Sequence, residues 1–240
     1  MPRLTSIVAT VLTLAAASLT VGCAAEPEAP PSSSQSIIGG ERTSERPEVG
    51  ILLEDERFTC TATLVAPRLV LTAAHCVGWS SSLGDYSFVT ESRGVVERTT
   101  VSAVRVFTTD PSSASDKDLA LLALTRASKV RPARVADADP KKGTAMTTYG
   151  SGCEDRDGVI FFRGALNKQR FAFEWGKKTN VGCFGDSGGP TFREDTGALT
   201  RVTSGFVDLP FERWDRDVRG NPVKHRQWIV DTAADLGQAL

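Results

Sequence analysis

Cys183 to Pro190 reads CFGDSGGP, with Ser187 held between glycines, an aspartate before it and a cysteine four residues upstream. A serine alcohol is a weak nucleophile until a neighbouring base takes its proton. Gly185 and Gly188 lack side chains, so the carbonyl of a bound substrate could approach the backbone N–H groups closely. The N–H groups of Gly185 and Ser187 are candidates for an oxyanion hole. Loss of one such donor typically costs about 3 kcal/mol of transition-state stabilisation. Glycine-rich turns with Asp and Ser are common and most carry no chemistry, so the stretch needs partners elsewhere in the chain.

Those partners lie upstream in the order His, Asp, Ser. Leu71 to Cys76 reads LTAAHC, and Asp118 opens DLALL. Together the three segments resemble the chymotrypsin/trypsin-like serine proteases, from Ile37 to about Ile229. The resemblance implies an all-β fold of two antiparallel barrels with a C-terminal helix. It implies that Ser187 is the nucleophile, His75 the general base and Asp118 the group that orients it. It implies peptide-bond hydrolysis through an acyl-enzyme with no cofactor and no metal. The partners implied are protein or peptide substrates, an activating protease and protein inhibitors.

Composition agrees with one large or two small domains: 240 residues, 40% hydrophobic and 24% charged. The formal net charge of −1 leaves no nucleic-acid footprint. There is no CxxC pair of the metal-binding type.

The first 22 residues read as a targeting segment, with Arg3 its only charge and an uncharged, mildly apolar run from Leu4 to Val21. Gly22-Cys23 after Leu19-Thr20-Val21 resembles a bacterial lipoprotein signal with Cys23 as the lipidated residue, although Thr20 stands where such signals usually carry Leu. Three other readings stay open: conventional cleavage after Ala25, a retained membrane helix, and a Cys23 with no special role. Ala24 to Ser36, rich in Pro, Glu and Ser, reads as a linker or propeptide without core-forming residues. The chain is therefore expected to be exported, as an envelope lipoprotein or a secreted protein, with membrane contact only through the lipid. IIGG at Ile37–Gly40 resembles the family's mature N-terminus. The resemblance implies that cleavage before Ile37 frees an amine that pairs with Asp186, a buried ion pair. Ser36 departs from the Arg or Lys usual at that cleavage site.

From Ile51 onward the pattern is β-like, with FTCTATLVAP and RLVLTAAHC as strands turning at Pro67. Gly94–Phe107 alternates, and Leu119–Leu124 is a continuous apolar run. Ala145–Tyr149, Val159–Phe162, Arg170–Trp175, Thr191–Arg193 and Leu199–Val207 supply a second strand set. Short strands without intervening helices favour barrels or sandwiches over βαβ units. The expected boundaries are a first barrel over about 37–135, a second over about 140–226, and a helix over about 227–240. His225 reads as a surface or helix-end histidine.

Of five cysteines, the resemblance pairs Cys60 with Cys76 beside the histidine and leaves Cys153 with Cys183 beside the serine. Four free thiols would be unusual in an exported chain. The family resemblance puts Val181 at the floor of the primary pocket, with Gly182 and Phe184 near it and Ser204, Gly205 and Phe206 as a wall. Val181 cannot pair a basic side chain, so a weak preference for small or medium apolar residues is expected. Asp208 and Glu212 remain candidates for restoring basic specificity.

Two rival functions fit parts of the sequence. GDSGG also satisfies GxSxG, and Asp215 and His225 follow it in the order of an α/β-hydrolase esterase. However, KKTNVGCFG makes a poor buried strand before the serine, and LTAAHC would go unexplained. The other rival is a catalytically silent, protease-like binding module.

Overall fold

The computed structural model describes residues 41–77, 86–108, 115–152, 166–172, 185–209 and 212–240. The elements in order are β1 (Glu41–Thr43), β2 (Val49–Glu54), β3 (Arg57–Ala66), β4 (Leu69–Thr72), a 3-10 turn (Ala74–Cys76), β5 (Tyr86–Ser92), β6 (Val95–Val106), β7 (Ala120–Leu124), β8 (Ala145–Gly150), β9 (Leu166–Ala172), β10 (Pro190–Arg193), β11 (Leu199–Leu209), β12 (Glu212–Gly220) and α1 (Arg226–Asp235).

Strands β2 to β7 close a six-stranded antiparallel barrel in the order β2-β3-β4-β7-β6-β5. Two of its hairpins are two-residue turns in which both residues have positive φ: Asp55 and Glu56 at 47° and 66°, and Arg93 and Gly94 at 52° and 77°. That backbone hand matches the right-handed twist of the flanking strands. The apolar run predicted at Leu119–Leu124 is β7 with the residue before it, buried throughout between β4 and β6. Leu52, Leu64, Val70, Phe88 and Leu122 lie on one face of their strands and belong to the buried core.

The second sheet runs β1-β9-β8-β10-β11-β12, all antiparallel. It is strongly curled. Arg219 on β12 hydrogen-bonds threonine hydroxyls on β11, β10 and β8 at once. Three strand spacings in a flat sheet come to about 14 Å, more than an arginine side chain spans.

Both ends of the described chain cross between the two halves. β1 precedes every strand of the barrel, yet it pairs with β9 through Glu41↔Lys168 and Thr43↔Leu166. α1 follows every strand of the second sheet, yet Ile229 and Ala233 join the core cluster that contains β7.

Candidate active site

Thr72 ends β4, and the chain tightens into the 3-10 turn carrying His75. The Cys60–Cys76 disulfide ties this turn to β3, with a Cα–Cα distance of 6.0 Å. His75 is thus fixed from one side by a covalent bond at its neighbour. Asp118 fixes it from the other. Oδ1 accepts the His75 backbone N–H at 3.0 Å, and Oδ2 lies 2.7 Å from the ring Nδ1. An ionised carboxylate can only accept, so Nδ1 carries the hydrogen and Nε2 is left with its lone pair. Asp118 is fully buried while the His75 side chain keeps 26% exposure. The imidazole therefore faces solvent and the carboxylate that holds it does not.

A third hydrogen bond reaches Asp118 from the second sheet: the Ser204 hydroxyl donates to Oδ2 at 2.5 Å. The β11–β12 register slips between Thr203 and Gly205, leaving Ser204 as the bulged residue. Bulges commonly re-aim a side chain next to a functional site. Ser204 also accepts the Ser115 N–H at 3.3 Å, holding the segment before Asp118. The resemblance puts Ser204 in the pocket wall, and nothing in the sequence signals its contact with Asp118. Asp116, two residues from Asp118, bonds Lys224 and His225 instead.

Ser187 sits on a tight turn between Gly185 (φ 94°) and Gly188 (φ 80°), backbone conformations that suit glycine. A Cβ on Gly188 would fall 2.0 Å from Thr72 Oγ1 and 2.1 Å from the Thr61 carbonyl oxygen. The serine turn is therefore pressed against the strand ends that lead to His75. Thr61 on β3 is the joint between them. Its N–H donates to the Ser187 carbonyl at 2.9 Å, and its hydroxyl donates to the Gly185 carbonyl at 2.8 Å. The same hydroxyl accepts the Ser151 N–H at 2.9 Å. Thr61 was missed in the sequence, where TCTAT shows only β alternation with threonine on one face.

Asp186 is 2% exposed, and its Oδ1 accepts the Gly152 N–H at 2.8 Å. Ile37, its expected partner, lies outside the described residues, as do Cys23, Val181, Gly182, Phe184 and the Cys153–Cys183 pair. The Phe206 side chain also lies outside them, although its backbone pairs with Asp217. Gly205 pairs with Val218 in β12.

Cys60, His75 and Cys76 bring three metal-type donors together, but both sulfurs are spent in the disulfide, so neither is a thiolate ligand. His225 is at the helix end, as expected, directly before α1. It is not a surface residue: its side chain is 12% exposed, packed 4.5 Å from the Phe107 ring and 3.3 Å from Asp116. The reason is tertiary, since Phe107 and Asp116 reach it from more than a hundred residues away. The α/β-hydrolase reading falls with the architecture, whose sheets are antiparallel and whose one described helix follows the last strand.

A sequence model of the family described as Trypsin matches residues 37–208. Granzyme M of Homo sapiens is 28% identical over 233 residues, covering 82% of this chain and 86% of that protein. Among solved structures, mouse neuropsin, described as a serine protease expressed in the limbic system of the brain, aligns with a TM-score of 0.66 at 23% identity, over 82% of this chain and 99% of its own. Human heparin binding protein aligns with the same TM-score at 21% identity, over 83% of this chain and 97% of its own. These two likenesses establish the fold, which is all-β and chymotrypsin-like.

Proposed function

Since the chain belongs to the trypsin family, we propose that it is a serine endopeptidase working through His75, Asp118 and Ser187. The observation that carries the reading is the buried Asp118 carboxylate, which grips both the backbone N–H and the ring of a part-exposed histidine. The Ser187 Oγ attacks the peptide carbonyl carbon as its proton passes to His75 Nε2. The oxyanion that forms accepts hydrogen bonds from the N–H groups of Gly185 and Ser187. Asp118 stabilises the imidazolium. The proton then goes to the leaving amine as the C–N bond breaks. Water repeats the sequence on the acyl-enzyme and restores the serine.

Export fits the Cys60–Cys76 disulfide, since such bonds persist in oxidising compartments. Activation by cleavage before Ile37 fits the burial of Asp186, because a carboxylate so placed gains from a cationic partner. Val181 in place of an acidic pocket floor argues against Lys and Arg before the scissile bond and for a small or medium residue. On Val181 alone that residue would be apolar.

Covalent labelling by a fluorophosphonate tests the reading. Wild-type protein beginning at Ile37 should label at Ser187 and cleave peptides, and Ser187→Ala should do neither. Absence of both in the activated wild type would leave a protease-like binding module.

A further inference from the structure

We propose that Thr61, on β3 of the barrel, is a positioning residue for the oxyanion hole: its hydroxyl and N–H fix the peptides around Asp186 and so aim the Gly185 and Ser187 N–H groups. This rests on the protease reading above and adds to it a residue from the half of the molecule that does not carry the nucleophile.

The argument begins with a weakness of the hole. Its donors stabilise charge only if they are set in place before the charge develops. One of them belongs to Gly185, and glycine has the least restricted backbone of any residue. A stiffer residue does not fit there. The φ is 94°, and a Cβ would fall 2.4 Å from Phe58 Cε1 and 3.0 Å from the Gly152 Cα. The turn must therefore be held by its neighbours. Thr61 holds it at two peptides. Its hydroxyl donates to the Gly185 carbonyl at 2.8 Å, which fixes the peptide before Asp186. Its N–H donates to the Ser187 carbonyl at 2.9 Å, which fixes the peptide after Ser187. The peptide that carries the Ser187 N–H lies between these two, and the Gly185 N–H lies one Cα away from the first.

The hydroxyl is itself held. It has one hydrogen and rotates to suit its surroundings. The Ser151 N–H approaches its oxygen at 2.9 Å, so the hydrogen turns away from Ser151 and toward the Gly185 carbonyl. The next N–H in the chain, that of Gly152, is bonded to Asp186 Oδ1 at 2.8 Å. Two successive N–H groups thus tie Thr61 and Asp186 into one network beside the serine turn. On its other side the Thr61 carbonyl accepts the Thr72 hydroxyl at 2.9 Å, at the end of the strand that leads to His75. Thr61 is fully buried, so solvent does not compete for these bonds. Valine has almost the same shape and suits a strand equally well. Packing alone would therefore be served by either residue, and the oxygen is what valine lacks.

The test compares activated wild type with Thr61→Val and Thr61→Ser, using one cleaved peptide and two inhibitors built on its sequence. The first inhibitor is a trifluoromethyl ketone, whose adduct with Ser187 carries an oxyanion. The second has the scissile carbonyl reduced to CH2 and places no oxygen in the hole. Removing a whole donor costs about 100- to 1000-fold in kcat, so misaiming the donors in Thr61→Val should cost about 10- to 100-fold. KM should stay within about twofold, since the lost interaction is made in the transition state. Affinity for the ketone should fall by the same factor as kcat, and affinity for the reduced peptide should not. Thr61→Ser keeps the oxygen and should restore both kcat and ketone affinity. Thr61→Ala, which differs from Thr61→Ser by that oxygen alone, replaces Thr61→Val if the latter does not fold. A wild-type kcat and ketone affinity without the hydroxyl overturns the proposal and leaves the protease standing. An equal loss of affinity for both inhibitors, or a Thr61→Ser as impaired as Thr61→Val, overturns it as well. If the wild type cuts no peptide and Ser187 does not label, the protease reading itself has failed.

Discussion

Asp118 accepts three hydrogen bonds, two from His75 and one from Ser204. They make different demands on a substitution. Asp118→Asn presents an N–H where the ring needs an acceptor, so the imidazole is held in the wrong tautomer. By analogy with triads of this type, kcat should fall by about 10⁴-fold. Ser204→Ala removes one donor from a buried carboxylate but keeps the histidine contacts. A loss of about tenfold in kcat is expected, the lower end of what a hydrogen bond to a charged group contributes. The acid limb of its pH–rate profile should also shift upward, since a carboxylate with one donor fewer holds the imidazolium more strongly. Steady-state kinetics across pH checks both, and an unchanged profile in Ser204→Ala would reduce Ser204 to packing. At the same scale, Ser187→Ala should keep the fold, with an unchanged melting temperature, and lose turnover.

Among the elements, the two joints outside the barrel ladders are the most exposed to test. The Cys60–Cys76 bond spans 16 residues, and in the chain-entropy model such a loop contributes about 3 kcal/mol. Replacing both cysteines with alanine should therefore lower the denaturation free energy by about that amount, measured by urea titration. The other joint ties the segment after β1 to β8 and β9. Glu45 accepts the Tyr149 hydroxyl at 2.7 Å and lies 3.1 Å from Lys168 Nζ. The Tyr149 hydrogen bond, helped by Lys168, holds the Glu45 carboxyl below its ordinary 4.5. A depressed carboxyl stabilises the fold above the unfolded value and loses that stabilisation as pH falls through the folded value. Glu45→Gln should thus melt earlier at neutral pH and show a flatter decline below about pH 4.5, read by circular dichroism. Burial, then the Glu45 hydrogen bond, pushes the Tyr149 hydroxyl up to about 12. Its contribution is complete below pH 10 and fades as pH rises through 12. The elements also show what the sequence made legible. The turn at Pro67, the run at Leu119–Leu124 and the helical spacing around Ile229 were all readable, because each reflects burial or backbone chemistry within a few residues. β12 was not, because ERWDRDVRG looks like an exposed loop until Arg219 is seen to have threonine partners three strands away. β5 was hidden in the same way: Tyr86 and Phe88 face a core that only barrel closure creates. Within the site, His75, Asp118 and Ser187 were legible from short motifs. Thr61 and the contact of Ser204 with Asp118 were not, since an ordinary threonine and serine take their meaning from what the fold sets against them.

At the scale of the whole molecule, the expected life history is a membrane-tethered precursor and a soluble enzyme. A lipid on Cys23 would anchor the chain, and thirteen linker residues, Ala24 to Ser36, would span about 20 Å as a flexible coil. Cleavage before Ile37 would then free the catalytic part. Membrane fractions should contain the uncut, nearly inactive form, and the soluble activity should begin at Ile37, as N-terminal sequencing can show. A membrane-bound form beginning at Ile37, or full activity in a form beginning at Cys23, would defeat this account. A soluble precursor beginning at Glu26 would mean that no lipid is attached. The exchange of chain ends between the two halves has a further consequence, in time rather than in space. A nascent chain emerges from its N-terminus, so the strands of the first barrel are available early. Its finished surface is not, because α1 follows every described strand. β1, the first described strand, must wait for β9, and Glu45 for a lysine 123 residues downstream. The core around the first barrel therefore cannot be completed before the second half has been made. Contacts of such long range slow folding, so the last step should be a late closure in which β1 docks on β9 and α1 on the core around β7.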